Sequence, residues 1–264
     1  MSRQYYTASE ARGKLGLSKS MFFLKVKQGL IPKVVLPGMT QGVYPKRDID
    51  ALALSITTKV EDFVFSRSTP ADQVEEMNIG IGCFGREFII PLADRIAFQQ
   101  KCEFTFHSLK VHGKVVGYIS MFCFPEDFLE ALLTGRRIES EITVRDVLPF
   151  GRLVPFNIYI DVIAVDCTLP LHLRRLYAGI TVFHFIDLIH NLLANDYQIT
   201  CIYTVTTMKE GQRLAEKIGF QRIEGKSIVP GRIAYEYLLD RGGLQRLQAF
   251  QQRFRRHLHR DFQR

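Results

Sequence analysis

The sequence predicts an α/β chain of the α+β kind, with a small N-terminal helical module, a mixed sheet flanked by helices, and a C-terminal amphipathic helix. Three observations predict it. A capping signature and paired turn residues mark two short helices within residues 1–60. From Phe63 onward, β-branched runs and apolar helical stretches follow one another, strands often succeeding strands. In residues 241–264, Leu244, Leu247, Phe250, Phe254 and Leu258 share one helical face against Arg246, Arg253, Arg255, Arg256 and Arg260.

The N-terminal elements are set by local chemistry. Thr7 and Glu10 form an S/T-x-x-E capping box at a helix start, and Ala11 and Leu15, at i,i+4, give that helix one apolar face. Gly16 allows a tight turn, and Ser18 N-caps a second helix whose Phe22 and Val26 face the first; Gly29 ends it. Ser18, Lys19, Ser20, Phe23 and Lys27 are left on or near the outer face. Lys33–Leu36 and Val43-Tyr44 flank a Pro37–Gly42 turn and read as a two-stranded hairpin. A third helix starts near Arg47-Asp48 and runs through Ile49, Leu52 and Ile56, with a boundary near residues 57–62.

Beyond the boundary, Phe63–Arg67 is a short strand and Pro70-Ala71-Asp72 opens a helix. Lys110–Ile119 is a hairpin around a His112-Gly113 turn. Residues 125–152 read as an insertion carrying a helix and a loop. Residues 157–166 form a long β-branched run, followed by an apolar helix from about Gly179 to Ala194. Ile199–Thr204 is a strand, Lys209–Ile218 a helix closed by Gly219-Phe220, and a last strand lies near Ala234–Leu239. The division is therefore 1–60, 61–240 and 241–264.

Charge is uneven. Residues 1–60 hold ten basic and three acidic side chains, residues 61–240 hold 18 and 23, and residues 241–264 hold seven and one, so +7, −5 and +6 give the net +8. Cationic surface lies at the two ends, which points any polyanionic partner there and away from the middle. No run reaches the ~20 consecutive apolar residues of a membrane span, and the N-terminus has no signal-peptide core, so a cytoplasmic chain without a membrane span is expected. Cys83, Cys102, Cys123, Cys167 and Cys201 stand singly in apolar surroundings and read as reduced, buried thiols rather than a zinc site or disulfide framework. His184 and His190, with Thr181, Asp187 and Asn191, form a polar stripe read as a wet helix face, so no metal site is expected.

The joint pattern of Thr7–Ala11, Leu15–Ser18 and Gly29–Lys33 resembles the MerR-like and excisionase-type winged helix-turn-helix domains. The resemblance covers residues 5 to about 58 and implies double-stranded DNA as a partner, read by the Ser18–Gln28 helix. Ser18, Lys19, Ser20 and Phe23 would meet base edges or backbone, and Lys19, Lys25, Lys27 and Lys33 would meet phosphates. The plainer reading is a helical module for protein contacts.

Residues 63 to about 240 resemble the GNAT N-acetyltransferase fold. The resemblance is carried by Arg67-x4-Asp72, the Gly113…Val116-Gly117-Tyr118 hairpin, the Ile160–Asp166 strand and the Leu214–Phe220 helix exit. It implies acetyl-CoA held along Ala164 and Val165 and on a phosphate loop of Arg174, Arg175, Ala178 and Gly179, although Tyr177 stands where the pattern has its first Gly. It also implies Asp161 as the catalytic base, its pKa raised by burial; Ala215 stands where the family's tyrosine acid would be, with Tyr203 a distant substitute. The favoured expectation is a DNA-binding regulatory protein whose GNAT-like domain senses an acyl-CoA or dimerises. The alternative is an active N-acetyltransferase targeted by its DNA-binding arm. The C-terminal helix would pack on the protein, join a homodimer, or meet a phosphate backbone or a membrane surface.

Overall fold

The computed structural model describes residues 4–38, 41–57, 63–225 and 227–262, with the side chains of 51, 54–57 and 255–262 left aside. The chain divides into two compact units, Met1–Phe63 with Thr168–Leu176, and Val64–Cys167 with Tyr177–Arg264.

In the first unit the order is β1 (Tyr5–Tyr6), α1 (Ala8–Lys14), α2 (Lys19–Lys27), β2 (Tyr44–Pro45) and α3 (Lys46–Thr57). The capping box forms as expected: Glu10 N–H donates to Thr7 Oγ1 at 3.3 Å, and Thr7 N–H to Glu10 Oε2 at 2.7 Å. Met21 N–H donates to Ser18 Oγ at 3.4 Å, and Gly16 and Gly29 hold φ of +63° and +73°, which only glycine adopts cheaply. Ala11, Leu15, Phe22, Ile31, Tyr44, Ile49 and Ala53 make the core. Two features differ from expectation. The Tyr6↔Tyr44 pairing of β1 with β2 was too short to leave a period-2 pattern. The expected hairpin contracts to one bridge between Val34 and Val43, with N···O distances of 2.9 and 2.8 Å; on its outer side the next bonding pair of this register would be Pro32 and Pro45, neither of which has an N–H to extend the ladder. Met39 and Thr40 of its turn, and residues 58–62 of the expected boundary, lie outside the described residues.

The remaining elements are β3 (Phe63–Arg67), α4 (Pro70–Phe84), α5 (Leu92–Lys101), β4 (Phe106–Val111), β5 (Lys114–Phe122), α6 (Glu126–Thr134), β6 (Phe156–Val165), α7 (Leu171–Ala194), β7 (Ile199–Thr206), α8 (Lys209–Ile218), β8 (Gln221–Arg222), β9 (Ile233–Leu238) and α9 (Arg241–Phe262). The strands form one mixed sheet in the order β3-β4-β5-β6-β7-β9-β8. β6 and β7 run parallel, whereas β4–β5, β5–β6, β7–β9 and β8–β9 are antiparallel. This is the mixed α/β fold with helices on both faces that the sequence predicts. α7, α8 and α9 cover one face over Ile119, Met121, Ile158, Ile160 and Ile202. α4, α5 and α6 cover the other over Phe106, Tyr118, Phe122 and Tyr159.

Helix α7 corrects an expectation. It begins at Leu171 and not near Gly179: Pro170 precedes its first turn, and Arg174 N–H donates to the Pro170 carbonyl at 3.0 Å. An 18-residue window of α7 reaches a mean hydropathy of 1.4, long and apolar enough to cross a membrane by length and composition alone, a test that the core helix of a globular protein also passes. Its Val182, Phe185, Ile186, Ile189 and Leu192 are nevertheless spent in the sheet's core. The polar stripe on α7 is a wet face only in part, at exposed Asn191 and on the open side of Asp187. Thr181 is fully buried, Phe65 stacks on His184 at 5.6 Å, and Gln251 of α9 donates to Asp187 Oδ1 at 2.6 Å.

Helix α9 packs through Leu247 and Phe250; Leu258, Arg255, Arg256 and Arg260 fall among its undescribed side chains. Gly179 is what lets it approach α7, since a Cβ there would stand 2.3 Å from a ring carbon of Phe254. Gly179→Ala is expected to cost about 1–3 kcal/mol in urea unfolding, because the added methyl overpacks this crossing. Adding Phe254→Leu should return part of that loss; a neutral Gly179→Ala would show that α9 does not dock here.

Candidate active site

The sheet opens at one place. β6 and β7 pair from Phe156↔Ile199 to Ile160↔Thr204, with one register shift after Phe156, and at the last pair Thr204 Oγ1 donates to the Ile160 carbonyl at 2.9 Å. Beyond that pair β6 continues beside β5 as far as Gly117↔Val165, while β7 continues beside β9 to Thr206↔Ile233. The two parallel strands therefore part company, leaving the far half of β6 without a β7 partner.

A bulge sits at the parting point. Ser120 pairs with Val162 and Met121 with Ile160, so Asp161 is the extra residue on β6. Bulges re-aim a side chain and end pairing, and here one residue does both. Past it, the Asp166 N–H bond to the Val116 carbonyl, 3.0 Å, sets the phase of the antiparallel ladder. Alternation then turns the amides and carbonyls of Ile163 and Val165 away from β5, toward the gap. The Val165 carbonyl accepts the Cys83 thiol at 3.4 Å, which fits that direction.

Asp161 is a half-buried residue with a strongly desolvated carboxylate. Burial pushes its pKa up to about 7, the nearby Glu139 charge adds to the rise, and the Ser120 hydroxyl, donating to Oδ2 at 2.9 Å, opposes it. Glu139 belongs to a second constellation on the same face. Tyr159 donates its hydroxyl to Glu139, and Arg232 grips the same carboxylate with two nitrogens at 2.8 and 3.0 Å. Burial alone would raise the Glu139 pKa; Arg232 and the Tyr159 hydroxyl outweigh it and hold the carboxyl below its ordinary range. Neither Glu139 nor Arg232 was singled out in the sequence: they meet across 93 residues, and no local pattern announces such a pair.

The other expected cofactor residues are dispersed. Ala164 is buried and pairs with Tyr118, so its backbone serves the ladder; Val165 borders the gap. Arg174, Arg175, Ala178 and Gly179 lie inside α7, where N–H groups are bonded one turn back, so the expected loop is a helix, and Tyr177 sits in it as a buried side chain. Only the first turn of α7 has unbonded N–H groups to offer. Arg174 is half-buried with no partner for its Nε, and Arg175 is exposed. Ala215 is buried against the core, and Tyr203 is half-buried, with burial and then Cys201 raising its pKa.

On α2 and after it, Ser18, Lys19, Ser20, Phe23, Lys27 and Lys33 are exposed and Lys25 is half-exposed. Lys33 lays its aliphatic stem across Gly42, where a Cβ would stand 2.0 Å from Lys33 Cε. Exposed Leu24, Leu30 and Val35 share this stretch of chain. Among the described residues, no group of three or more His, Cys, Asp or Glu is placed to hold a metal ion.

No protein-family model matches the chain, and no curated protein matches it significantly. Solved structures do resemble it. Ard1 from Thermoplasma volcanium is 14% identical, with 66% of this chain and 95% of that one aligned and a TM-score of 0.42. A GNAT-family acetyltransferase from Bacillus cereus is 13% identical over 68% and 99%, with a TM-score of 0.39. An agmatine N-acetyltransferase is 12% identical over 67% and 100%, with a TM-score of 0.45.

Proposed function

We propose that residues 63–240 bind an acyl-CoA in the gap between β6 and β7 and transfer its acyl group to an amine, with Asp161 as the base. The observation that carries this reading is the bulged Asp161, desolvated and hydrogen-bonded, standing where two parallel strands separate. The bound thioester would supply an activated acyl group. Ile163 and Val165 offer strand-type hydrogen bonds to the amide-bearing arm of CoA, as an added strand would receive. Ser120 occupies Oδ2 of Asp161 and leaves Oδ1 for the proton that the attacking amine loses. A pKa near neutrality suits that task, since the group is then ionised in part and still basic.

Calorimetric titration with acetyl-CoA, followed by acetyl transfer to simple amines, tests the proposal. Saturable binding with transfer supports it; binding without transfer favours a sensor; no binding at millimolar acetyl-CoA overturns both.

A second reading concerns the N-terminal unit, for which the exposed lysines of a Ser18-capped helix speak. It is proposed to hold duplex DNA, with a homodimer placing half-sites one helical turn apart. Binding should weaken linearly in log–log plots against salt, with a slope of about 0.9 per phosphate contact, and Lys19→Gln or Lys27→Gln should each lower the slope by about one. Binding indifferent to salt, or none to any duplex, would leave this unit as a protein-contact module.

A further inference from the structure

We infer that Cys83 and Cys167 form a reversible oxidation site, closing to a disulfide under peroxide at the rim of the β6–β7 gap. The sequence reads all five cysteines as reduced and buried, and the fold separates them. Cys102, Cys123 and Cys201 are each 3% exposed, whereas Cys83 and Cys167 are half-exposed. Cys83 stands in the last turn of α4 and Cys167 two residues beyond the end of β6. Far apart in sequence, they come near enough for Cys167 to contribute to the raised pKa of Cys83. Gly82 makes the approach: a Cβ there would stand 3.2 Å from Cys167 Sγ, so that sulfur already rests on the turn of α4 that carries Cys83. The Cys83 thiol donates to the Val165 carbonyl at 3.4 Å, which fixes its place beside the gap.

The chemistry assigns an order. Burial, and then the neighbouring Cys167 thiol, push the Cys83 pKa up to about 11, so Cys83 waits as a thiol. The Cys167 thiolate attacks one oxygen of hydrogen peroxide, giving the sulfenic acid and hydroxide, which takes the proton that Cys167 gave up. The Cys83 sulfur then attacks the Cys167 sulfur; the O–S bond breaks, and the departing hydroxide leaves as water with the Cys83 proton. Two thiols and one peroxide become one disulfide and two waters. The bond also removes the S–H that serves the Val165 carbonyl.

The test treats the full chain with hydrogen peroxide and maps its peptides without reduction. Expected are loss of the mass of two hydrogen atoms, a fall in titratable thiols from five to three, one cross-linked peptide pair holding Cys83 and Cys167, and reversal by dithiothreitol. Cys83→Ser or Cys167→Ser should abolish the cross-link. A sulfenic or sulfinic acid on either cysteine without a cross-link, a link to another cysteine, or no reaction would each overturn the inference. Should a serine variant fail to fold, the map of the unaltered chain decides alone.

Discussion

Asp161→Asn is expected to lower acetyl transfer by about 10²–10⁴-fold while leaving acetyl-CoA affinity unchanged, the signature of a lost general base. Asparagine keeps an oxygen for the Ser120 hydroxyl, so the bulge survives and only the proton acceptor is removed. With the pKa of Asp161 near 7, kcat/KM in the parent should rise with pH through that value, as the carboxyl loses the proton that blocks it. The stability effect has the opposite sign. A carboxyl whose folded pKa is raised holds its proton more tightly when folded, so its contribution is present below the ordinary carboxylate range and fades as pH rises through about 7. The asparagine variant should therefore melt no lower than the parent at about pH 8, although it is the less active protein. Unchanged turnover would remove Asp161 from the mechanism; a variant that unfolds at neutral pH would make it structural.

What the sequence displayed was local chemistry. Thr7 and Glu10 bond to each other's backbone, Gly219 ends α8 at φ +109°, and His112 and Gly113 both take the positive φ of a tight hairpin turn. Each rests on residues within one turn of itself. The start of α7 was hidden for a related reason: Leu171–Ala178 is compatible with helix, but Arg174-Arg175 and Gly179 also match a phosphate-loop pattern, and only the docking of Phe254 on Gly179 explains that glycine. Asp161 could be named from its strand but not as a bulge, because a bulge exists only in the register of two strands. The Glu139–Arg232 grip and the approach of Cys167 to the last turn of α4 depend on segments whose course no period encodes.

The largest stability effect is expected at the ion pair under α4, where Arg95→Met should cost about 3–5 kcal/mol, a large share of an ordinary domain's margin. Glu76 is fully buried and Arg95 3% exposed; they form a direct salt bridge, and Glu76 also accepts the hydroxyls of Ser68 and Ser108, the latter at 2.7 Å. The guanidinium lies 4.1 Å over the Phe106 ring and 5.4 Å from that of Tyr118, so its removal also uncovers the aromatic floor of β4 and β5. Burial raises the pKa of Glu76, and Arg95 is the largest influence opposing it. Methionine removes that opposition, and the folded pKa rises further. A carboxyl raised in the folded state is destabilising once it must ionise, so the deficit should be small at acidic pH and grow as pH rises toward the new pKa. Unfolding in urea at about pH 5 and about pH 8 separates this from a simple packing loss, which would be the same at both. Adding Glu76→Gln to Arg95→Met should recover part of the loss at the higher pH, because the stranded charge goes with it; no recovery would mean that the cost lay in the rings and not in the pair.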